Sequence, residues 1–179
     1  LHSLDIIAKT GASANEYTIF ERKRYQFSSS ANFKKNLEIL LDFVQNPYFT
    51  QATVEKEQGI IGQEIDMYKD APDWEVMFNC LRTMYHNLPV RIDIAGTQES
   101  IAQITAKTLY GCYDNFYYLH NMVLAVAGNA DVDEIVEVAD KVLKPVEGKM
   151  AQRKVIDEPE EVIDSYIEEK LSVATPQFM

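Results

Sequence analysis

The most informative stretch of the chain is Val54-Glu-Lys-Glu-Gln-Gly-Ile-Ile-Gly-Gln-Glu-Ile-Asp-Met-Tyr68. Its apolar residues recur at helical spacing, and Thr50 before it and Pro72 after it are typical of a helix's cap and break. Seven residues make nearly two helical turns, so Glu57 and Glu64 are expected to point the same way. They share one stripe with positions 54, 61, 65 and 68. The pattern therefore places two carboxylates on the side that would otherwise face the core.

The free-energy cost of burying charge indicates that this stripe could bind a cation. An unpaired carboxylate is expensive to bury, and proteins tolerate one when a metal or another cation compensates it. Zinc accepts carboxylate oxygen alongside histidine nitrogen. Gly59 and Gly62 each cost up to about 1 kcal/mol in a helix interior, and close approach of another backbone is one reason for such residues. Glutamates at helical spacing are usually solvated, so a metal site and a solvated face both stay open.

The segments around this helix mix strands and helices without strict alternation, which favours an α+β fold. Residues 12–20 and 24–29 are predicted to form a hairpin connected by residues 21–23. Residues 121–128 are a continuous apolar run that indicates a buried central strand, and residues 165–173 are interpreted as one more strand. Helices are predicted to follow the capping residues Asn32, Thr50, Asp73, Thr97, Thr105 and Asp131.

The composition of the chain excludes some classes of binding partner. The 179 residues carry a net charge of −11, which cannot neutralise phosphates and is repelled by anionic lipids. We therefore expect no nucleic-acid partner and no membrane partner, and the longest apolar runs are too short to span a bilayer. Cys80 and Cys112 form no CxxC pair, which argues against a zinc ribbon or a redox motif. A reducing compartment is favoured over a disulfide, and we predict a cytoplasmic location.

Four segments, taken in order, resemble one known family. They are Gly11-Ala-Ser-Ala-Asn-Glu-Tyr-Thr18, the helix with Glu57 and Glu64, His86-Asn-Leu-Pro-Val-Arg-Ile-Asp-Ile-Ala-Gly-Thr97, and Phe116-Tyr117 with Asn121-Met-Val-Leu-Ala-Val-Ala-Gly-Asn129. Each segment alone is weak evidence. Together, at these separations, they cover about two thirds of the chain and are similar to the pitrilysin/insulinase family of zinc peptidases, above all its bacterial processing-peptidase-like members.

The resemblance implies roles for individual residues. In that family an inverted His-x-x-Glu-His motif on an earlier helix supplies two zinc ligands and the general base, and the second glutamate of a later pair completes the site. That metal ligand is Glu64 here, and Glu57 is implied to support the site from outside the ligand set. A zinc-bound water then attacks a peptide carbonyl.

The resemblance also implies a place for the substrate. An edge strand is implied to bind the backbone of the peptide substrate by strand addition. Glu16 stands where a small residue is usual, which leaves the neighbouring subsite open. The implied substrate-binding residues are Ser13, Ala14, Asn15, Glu16, Tyr17 and Thr18.

The chain lacks the histidines that such a site requires. Its only histidines are His2, His86 and His120, and no two of them are four residues apart. We therefore expect the motif in sequence that precedes Leu1 and zinc in the intact protein only. This polypeptide alone is expected to be inactive, because one protein ligand does not make a usable zinc site. His86 and His120 are interpreted as structural or surface residues.

The family fold is α+β, with a mixed, largely antiparallel sheet covered by helices. Residues 1–148 are predicted to form most of a first domain, and residues 149–179 a linker and the first strand of a following domain. The intact protein is predicted to be a zinc metalloendopeptidase that acts on peptides or small unfolded proteins and works with a second family half or a paired subunit.

Two alternatives stay open. One is a non-catalytic partner or scaffold subunit of the same family, and the other is an acidic α+β interaction module unrelated to it. The fold separates these readings, because full solvation of Glu57 and Glu64 on an outer helix face would remove the zinc argument.

Overall fold

A computed structural model describes residues 2–145 and 152–179, which divide into two compact units. The first unit comprises Leu1–Phe49 and Lys107–Gln152, and the second comprises Thr50–Ala106 and Arg153–Met179. In these described ranges seven α-helices accompany a two-stranded antiparallel sheet, which confirms the predicted α+β class. The predicted domain boundary at residue 148 lies outside the described residues.

Most elements follow one another with short connections, whereas the connections after Met84 and after Phe116 are longer. Two turns of 3-10 helix, at Pro89–Arg91 and Leu119–Asn121, interrupt the later connections. The helices and strands in chain order are α1 (His2–Lys9), β1 (Ser13–Ile19), β2 (Arg22–Ser28), α2 (Phe33–Gln45), α3 (Gln51–Lys69), α4 (Pro72–Met84), α5 (Gln98–Ala102), α6 (Ala106–Phe116) and α7 (Val132–Val142).

The first unit is built around the β1–β2 hairpin. Gly11 has φ +84°, a left-handed conformation that lets the chain turn from α1 into β1. β1 and β2 pair antiparallel, with Ser13 opposite Ser28 and Ile19 opposite Arg22. The core beneath the hairpin consists of Ile7, Ala12 and Leu40, with Ala14, Tyr25, Phe27 and Ile39 packed against it.

Charge pairs join α2 to α7 in the same unit. Lys34 Nζ lies 3.1 Å from a Glu134 oxygen, and Lys141 Nζ lies 2.7 Å from a Glu38 oxygen. The Asp131 side chain accepts from the backbone N–H groups of residues 133 and 134, as predicted for the cap of α7. These pairs are exposed, so they orient the two helices more than they stabilise them.

The second unit consists of α3, α4, α5 and the segment 153–179. Phe78 of α4 is fully buried, and Val54 and Ile65 of α3 and Ile101 of α5 are also buried. Thr50 and Thr97 each form a reciprocal cap with the residue three positions later, which confirms both as helix starts. Asp73 is not a cap, because α4 begins one residue earlier at Pro72, whose missing N–H is tolerated in the first turn.

Two predicted strands are absent from the described residues. Residues 122–127 carry no regular structure, and Val123 is 93% exposed, so the prediction of a buried central strand is wrong. The backbone at Met122 is extended, yet no described strand lies beside it to complete a ladder. The strand predicted at residues 165–173 is wrong for the same reason, since that segment is irregular and exposed.

Two expectations drawn from composition can be compared with the described residues. Cys80 and Cys112 are free thiols. Among the residues that the structure describes, no helix combines the length and the apolarity needed to cross a membrane.

Candidate functional site

Glu57 and Glu64 lie on the exposed side of α3. The buried side of this helix carries Val54, Gly62 and Ile65 instead. An α-helix turns by about 100° per residue, so the two glutamates lie only about 20° apart around the helix axis. Both lie roughly 100° around that axis from the middle of the buried side. The prediction that both carboxylates face the core is therefore wrong, and burial gives no reason to place a metal beside them.

Glu64 is nevertheless held in a defined orientation. The Tyr68 hydroxyl donates to Glu64 Oε1 at 2.6 Å, a short hydrogen bond to a charged acceptor. The two residues are four positions apart, which brings them together on one helix face. The same bond, followed by burial, raises the pKa of the Tyr68 hydroxyl, so at neutral pH it keeps the proton that it donates.

Tyr68 is itself fixed by α4 and the loop that follows it. Its ring stacks on Trp74 with centroids 4.4 Å apart and planes 13° from parallel. Trp74 Nε1 donates to Asp93 Oδ2 at 2.7 Å, and Asp93 Oδ1 accepts from the Ala95 N–H at 2.8 Å. A chain of contacts thus runs from the 93–95 loop through two stacked rings to the Glu64 carboxylate.

The sequence did not reveal this chain of contacts. The sequence pattern places Tyr68 on the stripe shared with Glu57 and Glu64, and it singles out neither Trp74 nor Asp93. The spacing of Glu64 and Tyr68 was the one available signal, since residues at i and i+4 meet on a helix surface. The stacking partner and the loop carboxylate could be found only from the fold.

Gly62 has a reason for lacking a side chain. A Cβ placed there would lie 2.9 Å from Gln98 Oε1, and Gln98 Nε2 donates to the Gly62 carbonyl at 2.8 Å. The expected close neighbour exists, but it is the side chain that joins α5 to α3 and not a backbone. A Cβ at Gly59 would meet nothing within 4 Å, so the structure gives no reason for that glycine.

The described residues of this chain do not by themselves fit a zinc ion. Within the described ranges, no three His, Cys, Asp or Glu side chains come together in a way that could hold a metal. His86 Nε2 lies 3.1 Å from the Glu161 carbonyl oxygen, and His120 is exposed. Glu64 therefore offers one oriented carboxylate, which is one ligand where a catalytic zinc site has three from the protein.

The residues expected to bind substrate lie together on β1 in the other unit. Asn15 to Thr18 are exposed, and Ala14 is partly buried against the core. Only one edge of β1 is paired with a strand among the described residues, and the Glu16 backbone N–H donates to Asn15 Oδ1 at 2.9 Å. Glu16 lies 3.8 Å from Lys23 Nζ, and the Arg24 guanidinium lies 5.4 Å from the centre of the Tyr17 ring.

A cavity of about 140 Å³ lies beside the stacked rings. It is much smaller than the roughly 300–1,000 Å³ of typical small-molecule sites, so it is too small to be read as a ligand pocket. The residues that line it are Ile65, Tyr68, Lys69, Glu75, Arg82, Asp93, Ala95, Gly96 and Thr97.

Comparison with protein families gives two matches along the chain. Residues 3–98 match the model described as insulinase (peptidase family M16). Residues 103–178 match the model described as the peptidase M16 inactive domain. Together the two models account for almost the whole sequence.

Individual relatives extend these matches. The chain is 48% identical, over 95% of its length, to 40% of an uncharacterized zinc protease YmfH of Bacillus subtilis. It is 33% identical, over 75% of its length, to 29% of the mitochondrial-processing peptidase subunit beta of Neurospora crassa. The crystal structure of a putative M16-like peptidase from Alicyclobacillus acidocaldarius superposes with a TM-score of 0.85 and 43% identity, covering 92% of this chain and 40% of that one. The chain thus spans at most about 40% of the length of these relatives.

Proposed function

The chain belongs to the M16 peptidase family, and from that membership we propose that it is a section of a zinc metalloendopeptidase to which it contributes Glu64 as one metal ligand. The reaction is hydrolysis of peptides or small unfolded proteins. The relative named a zinc protease, 48% identical to this chain, supports the choice of metal.

One observation carries the assignment to Glu64. Its carboxylate is exposed and oriented by the Tyr68 hydroxyl at 2.6 Å, with the ring of Tyr68 held in turn by Trp74. Metal ligands are commonly oriented in this way by hydrogen bonds from residues that do not touch the metal. Glu57, on the same exposed face two turns earlier, is proposed to support the site without binding the ion.

The remaining ligands have to come from elsewhere in the protein. The 179 residues contain no His-x-x-Glu-His, so the proposal requires another part of the polypeptide to supply two histidines and the general base. The edge of β1 that does not pair with β2 is proposed to bind the substrate backbone through residues 13–18. The Asn15 side chain, which now accepts from the Glu16 backbone N–H, would have to release that N–H for a substrate carbonyl at this position.

The experiment is a hydrolysis assay of the full-length protein with unfolded fluorogenic peptides. The wild type should cleave them, and a chelator should abolish cleavage. Glu64→Gln should be inactive, whereas Glu55→Gln, which changes an exposed glutamate of the same helix, should retain activity. Cleavage by Glu64→Gln at the wild-type rate would remove Glu64 from the site.

A non-catalytic partner or scaffold subunit is the second candidate. Two observations favour it: residues 103–178 match a domain described as inactive, and one relative is named as a subunit of a peptidase. A full-length reading frame without His-x-x-Glu-His, together with no cleavage in the assay above, would select this function. Cleavage that a chelator stops would select the peptidase.

A further inference from the structure

The C-terminal segment of the chain is fastened to α4 and to the turn that follows it. The backbone N–H of Ile163 donates to the Thr83 carbonyl at 2.8 Å. Asn79 Nδ2 donates to Glu169 Oε2 at 2.6 Å. These contacts hold residues 157–169 along the second half of α4.

Glu158 makes the densest set of these contacts. Its Oε2 accepts from the backbone N–H groups of Asn87 at 2.9 Å and Leu88 at 2.7 Å, and its Oε1 accepts from the backbone N–H of His86. Three consecutive backbone N–H groups therefore converge on one carboxylate. Such a concave run of amides binds anions because its dipoles point the same way and its donors have no other partner.

The side chains of Asn87 and His86, next to the carboxylate, contact the backbone of the same segment. Asn87 Nδ2 donates to the Asp157 carbonyl at 2.9 Å, and His86 Nε2 lies 3.1 Å from the Glu161 carbonyl oxygen. The turn thus contacts one side chain and two carbonyl groups of a segment without regular secondary structure. Recognition of this kind requires both an acidic side chain at the right position and backbone carbonyl groups within reach on either side of it.

Polar contacts hold this segment together with partial apolar burial. Glu158 is partly buried, and Ile163 keeps only 37% of its surface exposed, but no side chain from residue 159 to residue 169 is buried. Apolar burial therefore supplements the hydrogen bonds and does not replace them. The segment also carries repeated negative charge in a chain of net charge −11, so general electrostatic attraction does not explain why it docks.

We propose that the backbone amides of residues 86–88 form a carboxylate-binding site whose ligand is the Glu158 side chain, and that this site fastens residues 157–169 to α4 as a releasable strap. The ligand is a carboxylate, and an acidic segment of the same chain supplies it. The proposal is independent of the zinc site. Loss of this carboxylate should loosen the strap as a unit, because no side chain from residue 159 to residue 169 is buried.

Hydrogen–deuterium exchange of the full-length protein, followed by mass spectrometry, tests the strap. In Glu158→Ala, peptides covering residues 84–92 and 160–170 should both exchange faster by about tenfold or more, the order expected when hydrogen bonds to a charged group are lost. Glu160→Ala is the matched control, because Glu160 is an exposed acidic residue two positions away. Peptides from α7 serve as the reference for global unfolding.

Each outcome decides the proposal. Faster exchange of both peptides in Glu158→Ala, with α7 and the Glu160→Ala protein unchanged, supports it. Unchanged exchange of residues 84–92 in Glu158→Ala would show that the amides do not depend on this carboxylate. Faster exchange of residues 84–92 without any change at residues 160–170 would overturn the strap, because the segment would then be held by other contacts.

Discussion

Replacing Tyr68 with phenylalanine removes one hydroxyl from the contacts around Glu64 and leaves the aromatic ring in place. The ring should stay stacked on Trp74, since that contact, with centroids 4.4 Å apart, uses no polar atom of Tyr68. What is lost is the 2.6 Å hydrogen bond to Glu64 Oε1. The substitution therefore separates the orientation of the carboxylate from the packing beneath it.

The expected effect is on metal affinity and not on folding. Removing a residue that orients a metal ligand typically weakens metal binding by about 10–100-fold. The Tyr68–Glu64 bond is exposed, so we expect the lower end: about tenfold weaker zinc binding by the full-length protein. The free energy of unfolding should change by less than about 1 kcal/mol, the usual net worth of a single exposed hydrogen bond.

Competition with a chromogenic chelator gives the zinc affinity, and urea unfolding gives the stability. Tyr48→Phe is the matched control, because it also removes a tyrosine hydroxyl, but from a side chain that is 80% exposed. Wild-type zinc affinity in Tyr68→Phe would refute the reasoning that the hydroxyl orients a ligand. Equal weakening in Tyr48→Phe would show that the effect is not specific to Glu64.

Three further predictions concern stability. Phe78→Ala should lower the free energy of unfolding by about 3–5 kcal/mol in a urea titration, because Phe78 is fully buried. Phe116→Ala should lower it much less, because the Phe116 side chain is 56% exposed. Gly59→Ala should raise thermal stability by up to about 1 kcal/mol, since the added methyl meets nothing within 4 Å, and a lower melting temperature would contradict this. Burial opposes ionisation of Glu158, but the N–H groups beginning with that of His86 outweigh it and hold the pKa of this carboxyl below its usual range. Its stabilising effect should be complete above the unfolded-state pKa and vanish as pH falls through the lower folded-state pKa, so the Glu158→Gln protein should show a shallower acid loss of stability than wild type.

Local chemistry made the helix starts predictable from the sequence. Thr50, Thr97 and Asp131 cap helices as expected, because a capping side chain bonds to backbone only two or three residues away. Asn32 also precedes a helix, but it does so in a left-handed conformation with φ 57°, and its side chain donates to the Thr10 carbonyl at 3.2 Å. Its position was predictable, whereas its bonding depended on a residue 22 positions away.

Contacts distant in sequence account for the errors. The helix α3 was predicted correctly, but its buried side was placed too close to Glu57 and Glu64. The buried side lies nearer to Gly62, because Gln98 packs against that residue. No pattern within α3 contains that information. The apolar run at residues 121–128 was taken for a buried strand, although a strand exists only where a neighbouring backbone completes its ladder.

The contacts of the acidic segment could not be predicted for a related reason. Residues 149–179 are predicted to begin with a linker, and residues 157 and 159–161 are exposed as charge runs usually are. The partner of Glu158 is a set of backbone N–H groups about 70 residues earlier. Every residue type except proline has such a group, so the composition does not indicate which ones will bind a carboxylate. The family resemblance, by contrast, was recognisable because its four segments keep their order and separation, and the matches to the M16 models confirm it.

Metal analysis of the full-length protein tests the central claim most directly. The wild type and Glu55→Gln should each contain stoichiometric zinc, and Glu64→Gln should contain almost none, because the carboxamide that replaces the carboxylate is a poor zinc ligand. Stoichiometric zinc in folded Glu64→Gln would contradict the account, since the carboxylate that Tyr68 orients would then not be a ligand.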